Sequence, residues 1–406
     1  MCKKERAMTP LCLHLCELKH KKMKKYLIAL CLCLPMATYA EGGQDETLEG
    51  GLLTSKLNAK LEKAMDSTPS DDAKPEVGRR ITDYVSAPVF GAYVVGKYGY
   101  TSDQKAEVSN SFEARLIRAY VSGFILKDFK YRIQIELKSP AMRDFTLEWL
   151  RFKEVQVKVG QFKRCFTYEN PMNPWDVGFG AYSQVTQHMA AFGKEDPSGE
   201  ASQNGRDLGI QLQGDLLPIG KDKHRLIRYQ AGIFNGAGQN KKDNDSQKDF
   251  IGNIQFQPIQ GLYVGLFGWT GSFTGDNNVH VHRNRWALGA TYERDEWTVR
   301  TEYAHHSGHN WKDYDSDIHI FDGPDRADGW YAAVGIPCTK WLKVWAKYDA
   351  YREDATWGTL RTVYSVAPNI NLHKHLMFQM QYNYIHDKTS SDRKQHEFWT
   401  QFYVRF

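Results

Sequence analysis

A two-residue alternation of apolar and polar side chains, recurring from Pro88 to the C-terminus, constrains this chain most. Residues 129–138 run Phe-Lys-Tyr-Arg-Ile-Gln-Ile-Glu-Leu-Lys, and residues 398–406 repeat the pattern up to a terminal phenylalanine. Side chains two positions apart share one face of a β-strand, whereas a helix would scatter them over all faces. The alternation therefore predicts an all-β fold.

Sixteen segments carry this signal, each long enough to cross a bilayer as a tilted strand of roughly 9–11 residues. The predicted strands are 88–101, 111–125, 128–139, 144–153, 154–163, 205–217, 225–235, 249–257, 261–272, 284–295, 297–307, 327–337, 340–351, 358–367, 374–386 and 396–406.

The connections between these strands alternate in length. The tight turns are 126–128, 153–154, 218–223, 258–260, 295–296, 337–340 and 368–373, and the other, mostly longer and more polar, connections are 102–110, 140–143, 164–204, 236–248, 273–283, 308–326, 352–357 and 387–395. An even strand count with alternating short and long connections predicts a sixteen-stranded antiparallel transmembrane β-barrel over 88–406. Closure leaves no backbone edge unpaired in lipid.

The first forty residues predict an upstream extension plus a signal peptide. Met23 is the better start, an apolar core follows at 26–35, and cleavage is expected near Ala40. Its removal takes away a net charge of +6 and leaves a mature net charge of −1, so the basic balance does not indicate nucleic acid. Two cysteines remain, Cys165 and Cys338, and the predicted barrel places them at opposite ends, too far apart to pair.

Residues 41–87 differ from the barrel. Leu53, Leu57 and Leu61 recur every four residues before a polar stretch, which predicts a short amphipathic periplasmic helix and a linker. This segment is either a periplasmic plug or oligomerising coil, or a docked or frayed N-terminal arm; the sequence leaves both alternatives open.

Aromatic side chains near strand ends fit the interfacial girdles of a membrane barrel, because each ring is buried while its polar atom stays wet. The predicted girdle residues are Tyr98, Tyr100, Trp269, Trp286, Trp297, Trp330 and Trp341.

Several short motifs carry a resemblance to a known family. They are Gly160-Gln-Phe-Lys163, Gly205-Arg-Asp-Leu-Gly209, Tyr229-Gln-Ala-Gly-Ile-Phe-Asn-Gly236, Arg300-Thr-Glu-Tyr303, Lys347-Tyr-Asp349 and a last strand ending in Phe406. In this order they resemble the phosphate-selective porin O and P family of trimeric outer-membrane channels. The resemblance implies a diffusion channel for small anions, with phosphate or oligophosphates as the specialised case. It also implies that Phe406 is read by the barrel-assembly machinery.

If the apolar face of each strand is the outer face, the opposite face supplies the lumen charges. The predicted cations are Lys130, Arg132, Lys138, Lys158, Arg228, Arg285, Arg300, Lys343, Lys347, Arg361 and Arg405, against Glu136, Glu148, Asp207, Asp215, Glu293, Glu302 and Asp349. Arg115 and Arg118 lie on opposite parities, so at least one is expected to face inward. The excess of cations favours anions; the alternative is that these charges only solvate a wide pore and pair across it.

The connection 164–204 is the longest and is the third long loop. In the porins that the chain resembles, this loop folds into the lumen and narrows it, which makes Lys163, Arg164 and Lys194 constriction candidates. Its proline and aromatic content indicates an ordered loop, and residues 181–190 are assigned to that loop because a seventeenth strand would break the topology.

Residues 305–322 gather histidines and aspartates in one outer loop, at His305, His306, His309, Asp313, Asp315, Asp317 and His319. This composition predicts a hydrated surface loop, with a divalent-cation or lipopolysaccharide contact as the alternative. The sequence contains neither the metalloprotease motif nor the nucleophile-elbow motif, and no catalysis, cofactor or structural metal is expected.

The sequence as a whole predicts a Sec-exported, homotrimeric outer-membrane porin that passes small anions and contacts lipid and lipopolysaccharide. A general or sugar porin without phosphate selectivity is the alternative within this class. A secreted soluble all-β binding protein is the alternative outside it.

Overall fold

The computed structural model describes residues 85–406, which form a closed antiparallel barrel of sixteen strands. The sixteen-stranded barrel is therefore confirmed. The predicted leader and nearly all of the predicted helix and linker at 41–87 lie outside the described residues.

Two further strands form a small hairpin outside the barrel wall. In chain order the strands are β1 (Val89–Thr101), β2 (Asn110–Ile125), β3 (Phe129–Glu136), β4 (Ala141–Trp149), β5 (Gln156–Lys163), β6 (Arg206–Ile219), β7 (His224–Phe234), β8 (Asp249–Ile259), β9 (Leu262–Thr274), β10 (His280–Arg294), β11 (Trp297–Ser307), β12 (Tyr314–Asp315), β13 (Ile320–Phe321), β14 (Arg326–Pro337), β15 (Leu342–Arg352), β16 (Leu360–His373), β17 (Leu376–Asp387) and β18 (Lys394–Arg405).

Among residues 85–406, helical structure is confined to single turns. These are a π-helical turn at Val185–Met189 and 3₁₀ turns at Asp276–Asn278, Trp311–Asp313 and Trp357–Thr359. Across residues 85–406, no helix combines the length and the apolar character that crossing a membrane would require.

Each barrel strand pairs with its neighbours in sequence, and β14 follows β11 because the β12–β13 hairpin is inserted between them. The first and last strands close the barrel, with Tyr93 opposite Arg405 and Thr101 opposite Glu397. The wall therefore has no free edge strand within the described part of the chain.

The predicted turn at 368–373 is wrong. Strand β16 continues through Pro368, which lies opposite Val344, and the chain turns only after His373. Proline removes one ladder donor, but its fixed φ is compatible with extended backbone. In the same way β6 passes Pro218 and ends at Ile219.

The barrel is apolar outside and polar inside. Phe250, Leu266 and Leu288 point outward and keep 52–54% of their surface exposed, whereas Asn253 and Gln255 point inward and are buried. A soluble monomer rarely exposes a large continuous apolar surface. An apolar outer surface around a polar interior is the arrangement that a lipid-facing barrel requires.

Most of the predicted girdle residues lie on the outer surface; the large exposed ones are Tyr100, Trp286, Trp297, Trp330 and Trp341. Trp269 is the exception, and its prediction is wrong. It is 2% exposed and points into the barrel, where its indole N–H donates to Asp249 at 2.9 Å. On β9 it shares the inward parity of Phe267, which the even spacing of the strand dictates.

The connection between β5 and β6 folds into the barrel. Phe166, Phe179, Tyr182 and Met189 of this connection are almost fully buried against the wall. Residues 181–190 contain the π-helical turn and no strand, as the assignment to a loop predicted. We call residues 164–205 the inner loop.

Candidate functional site

The inner loop lies along one half of the barrel wall. Asn253 on β8 donates to the Cys165 carbonyl at 2.8 Å, and Glu302 on β11 accepts from the Tyr168 backbone N–H at 2.6 Å. Farther along, the Gly180 N–H donates to Gln381 on β17 at 2.6 Å. The loop thus contacts wall strands from β8 to β17.

A buried ionic network holds the inner loop to this wall, and we call it the latch. Its members are Arg164, Asp196, Glu200, Asp207, Asp249, Arg283 and Arg285, with side chains at most 1% exposed. Arg164 bonds Glu200 at 2.8 Å and Asp207 at 3.1 Å. Arg283 bonds Glu200 at 2.6 Å, and Arg285 bonds Asp196 at 2.5 Å.

The Trp269 ring lies at the centre of the latch. The guanidinium carbons of Arg164, Arg283 and Arg285 lie 4.7, 5.2 and 4.3 Å from its centroid. This arrangement adds cation–π attraction to the ion pairs. Although burial raises the pKa of Asp196, Arg285 and Arg283 outweigh it and hold that pKa well below its ordinary value. Asp196 is therefore charged and paired at neutral pH.

On the opposite side, an open space remains between the inner loop and β1–β6. A cavity of about 330 Å³ lies here, which we call the basic chamber, lined on the wall by Arg118, Arg132, Asp144, Lys158, Lys163 and Arg206. Residues 171–174 of the inner loop form its other side. Five cations against one lining carboxylate give this chamber a positive potential.

Three of these cations are paired with acids. Arg118 bonds Glu136 at 2.7 Å, Arg206 makes a two-pronged contact with Asp144 at 2.8 and 3.3 Å, and Lys158 lies 3.2 Å from Glu148. Each pair cancels most of its own field in the passage.

The other two, Arg132 and Lys163, make no ion pair with any described residue. The Arg132 guanidinium lies 4.2 Å from the centroid of the Tyr120 ring. The Lys163 ammonium donates to the Met172 carbonyl at 2.5 Å and lies 3.3 Å from the Tyr182 hydroxyl. These two are the basic side chains of the chamber that have no carboxylate partner among residues 85–406.

A β-bulge brings Arg115 and Arg118 to the same side. Val95 lies opposite Leu116 but Gly96 lies opposite Ala114, so Arg115 is the extra residue in the ladder. Arg115 then donates to the inward-facing Gln401 and Tyr403 at 2.8 and 2.9 Å. Both arginines face inward, although their spacing in sequence placed them on opposite faces.

The remaining predicted cations are spread along the lumen. Arg228 bonds Asp215 at 2.9 Å, Lys347 lies 3.2 Å from Asp349, and Arg361 lies 3.3 Å from Asp387. Lys130, Lys343 and Arg405 lie near the short-turn end and make no ion pair within the described part of the chain.

Four predicted residues lie off the open passage. Arg164 and Arg285 belong to the latch, and Arg300, 1% exposed, is paired with Glu169. Lys138 lies beyond the end of β3, at the long-loop mouth, 3.6 Å from Glu113. These four side chains therefore do not face the basic chamber.

Lys194 lies on the inner loop with part of its surface exposed, and it lines a separate cavity at the long-loop end. Burial of its ammonium, followed by the charge of Arg361, lowers the pKa of Lys194. The three predicted constriction residues thus lie in different places. Lys163 lines the basic chamber, Arg164 belongs to the latch, and Lys194 lies at the long-loop mouth.

Sequence parity missed Arg206 and Arg283. Gly205, at φ +66°, precedes Arg206 and turns the chain just before the strand, so that the simple alternation does not apply there. A Cβ on Gly205 would lie 1.8 Å from the Asn170 amide oxygen, so the tight packing here requires glycine. Arg283 lies beyond the predicted start of its strand, because β10 begins at His280 rather than 284.

The histidine and aspartate residues of 305–322 do not assemble a metal site. No group of three or more potential metal-ligating side chains is found in the described residues. His306 is buried and accepts from Arg285 at 3.1 Å, and His309 stacks on Phe321 at 4.6 Å. Cys165 and Cys338 are both free, as predicted.

No protein-family model matches the sequence, and no curated protein matches it. Solved structures do match the fold. The anion-selective porin from Comamonas acidovorans matches with 12% identity and a TM-score of 0.57, over 79% of this chain and 99% of that one. The outer membrane channel DcaP of Acinetobacter baumannii matches with 10% identity and a TM-score of 0.56, over 82% and 100%.

A loop-deletion mutant of OmpT, an outer membrane protein of Vibrio cholerae, matches with 11% identity and a TM-score of 0.56, over 79% of this chain and 99% of that one. At such identities the likeness shows the fold alone. The chain therefore has the porin fold, and its solute must be argued from its own lumen.

Proposed function

We propose that this protein is a porin of the bacterial outer membrane, a passive diffusion channel for small anions of the phosphate type. The observation that carries the proposal is the basic chamber, which Arg132 and Lys163 line without a carboxylate partner among residues 85–406. The fold neighbours, which include an anion-selective porin, support the same class.

The outward apolar surface supports the membrane location. An apolar band about 25 Å tall is what a transmembrane barrel presents to lipid. Burying that surface in a bilayer removes it from water, and a secreted soluble protein would have no such cover for it. Export through a signal peptide cleaved near Ala40, a homotrimeric assembly and recognition of Phe406 by the barrel-assembly machinery complete the proposal.

The chamber favours anions by replacing part of their hydration. Arg132 offers a planar fork of N–H donors that matches phosphate oxygens, and stacking on Tyr120 holds that fork in place. Lys163 offers a compact charge on the same chamber. Charge acts more strongly in a narrow protein-lined passage than in bulk water.

The pairing of most lumen cations limits this effect. Binding must be weak enough for the ion to leave, and a few free donors in succession satisfy that condition. Because Arg118, Lys158 and Arg206 are neutralised by their partners, a moderate anion preference with weak phosphate binding is expected.

Planar-bilayer recording tests the proposal. In a potassium chloride gradient, the reversal potential is expected to have the sign of anion selectivity. Millimolar phosphate is expected to reduce chloride current in the wild type and much less in Arg132→Gln. The matched control is Arg352→Gln, an arginine paired with Asp328 at the far side of the barrel. A cation-selective reversal potential would contradict the proposal.

A further inference from the structure

Below the basic chamber lies a second cavity of about 670 Å³, which we call the amide chamber. It shares Pro171, Met172, Gln213 and Gln230 with the basic chamber, so the two are continuous. Gln260 and Gly261 of the β8–β9 turn also line it, which places it toward the short-turn end. Its volume lies within the range of small-molecule sites.

Six glutamines line this chamber. Five of them project inward from four adjacent strands, β5 to β8. Four of these amides form one hydrogen-bonded chain with Gln211 and Asn253, which lie beside the lining: Gln211 donates to Gln213 at 2.7 Å, Gln213 to Gln156 at 3.3 Å, Gln230 to Gln213 at 3.4 Å, Asn253 to Gln230 at 3.0 Å and Gln255 to Asn253 at 3.0 Å. The chain fixes the orientation of each amide.

The chain leaves hydrogen-bonding capacity open. An amide carries two donors and an acceptor oxygen with two lone pairs, and Gln213 and Gln255 each use one donor. The Tyr168 and Thr291 hydroxyls, which line the chamber, and the Gln211 carbonyl oxygen are buried with no partner in the described part of the chain. The unsatisfied groups are thus both donors and acceptors.

The charges of this chamber do not favour anions. Arg228 is paired with Asp215 at 2.9 Å, and Glu293 lines the chamber without an ion-pair partner among the described residues. Chloride can only accept hydrogen bonds, and both chloride and ionised phosphate would be repelled by Glu293. A hydroxyl group both donates and accepts, which matches amides, hydroxyls and a free carboxylate.

We propose that the amide chamber binds a neutral polyhydroxylated solute, a sugar or polyol, as it passes through the channel. The proposal depends on the proposed function only in requiring an open, conducting barrel. Carbohydrate hydroxyls would complete the amide chain, and the ring of Tyr168 with Pro171 and Met172 would contact the apolar faces of the sugar.

The test is a titration of maltose against chloride current through single channels. Poly(ethylene glycol) of equal hydrodynamic radius is the control solute, because its ether oxygens accept hydrogen bonds and do not donate. Gln213→Met removes the centre of the amide chain at nearly constant volume. Gln395→Met is the matched control, a lumen-facing glutamine at the opposite end of the barrel that bonds only the Asp392 carbonyl.

Maltose is expected to interrupt the current of the wild type and of Gln395→Met, and its affinity is expected to fall about fivefold in Gln213→Met, since the one free donor of Gln213 is lost. Gln255→Met replaces Gln213→Met if the latter does not assemble. Equal effects of maltose and the polymer, or an unchanged affinity in the chain variant, would overturn the proposal. A cation-selective reversal potential would overturn the proposed anion channel alone.

Discussion

The latch makes Asp196→Asn the most informative single change to the inner loop. Asp196 is the carboxylate that pairs with Arg285, at 2.5 Å, and both side chains are fully buried. The substitution keeps the shape but leaves a buried guanidinium with neutral partners, the Met189 carbonyl at 2.6 Å and His306 at 3.1 Å. Removing one member of a buried pair costs about 3–5 kcal/mol.

At about 1.4 kcal/mol per tenfold change, this cost raises the population of the undocked loop by roughly two to four orders of magnitude. Single-channel recordings of Asp196→Asn are expected to show frequent excursions between conductance levels, where the wild type is quiet. Glu195→Gln is the matched control, because this neighbouring side chain is exposed and bonds only Lys312. Identical open-channel noise in the two variants would refute the latch as the element that holds the loop.

The other predictions concern pH and thiol access. His188 stacks on Tyr351 at 4.1 Å, and burial followed by the charge of Lys194 lowers its pKa to about 3. The undocked loop therefore binds a proton more readily, so docking weakens as pH falls from about 6.5 toward 3, by up to about 1.4 kcal/mol per pH unit. Open-channel noise is expected to rise in acid in the wild type and not in His188→Gln. Equal pH profiles of the noise in the two proteins would contradict this. Burial raises the pKa of the Cys165 thiol to about 12. In the folded protein a maleimide is expected to label the exposed Cys338 and to spare Cys165, as peptide mapping would show, and labelling of both would contradict the inward packing of the loop.

The wall of the barrel was predictable because its signals are local. Strand parity depends on residues two apart, and the length of each turn depends on a few neighbours, so the strand count and the antiparallel order follow from the sequence. Errors arose where one residue was weighted too heavily, as when Pro368 was taken to end a strand that continues to His373.

The state of each lumen charge was not predictable in this way. Whether Arg132 is free and Arg118 is paired depends on register and on side-chain reach across strands. The latch joins Arg164 to Glu200, 36 residues away, and Arg283 to Glu200, 83 residues away, around a tryptophan that was assigned to the outer girdle because it lies near a strand end. Such pairings are fixed by the folded loop, which carries no periodic signal.

The central claim is that two unpaired cations in the basic chamber set the selectivity of the channel. The reversal potential of Arg132→Gln/Lys163→Gln in a potassium chloride gradient tests it most directly. The control is Arg228→Gln/Arg361→Gln, which removes two partly exposed lumen cations that are paired with acids. The first variant is expected to lose most of its anion preference, while the second keeps more of it than the first. Wild-type selectivity in the first variant would contradict the claim.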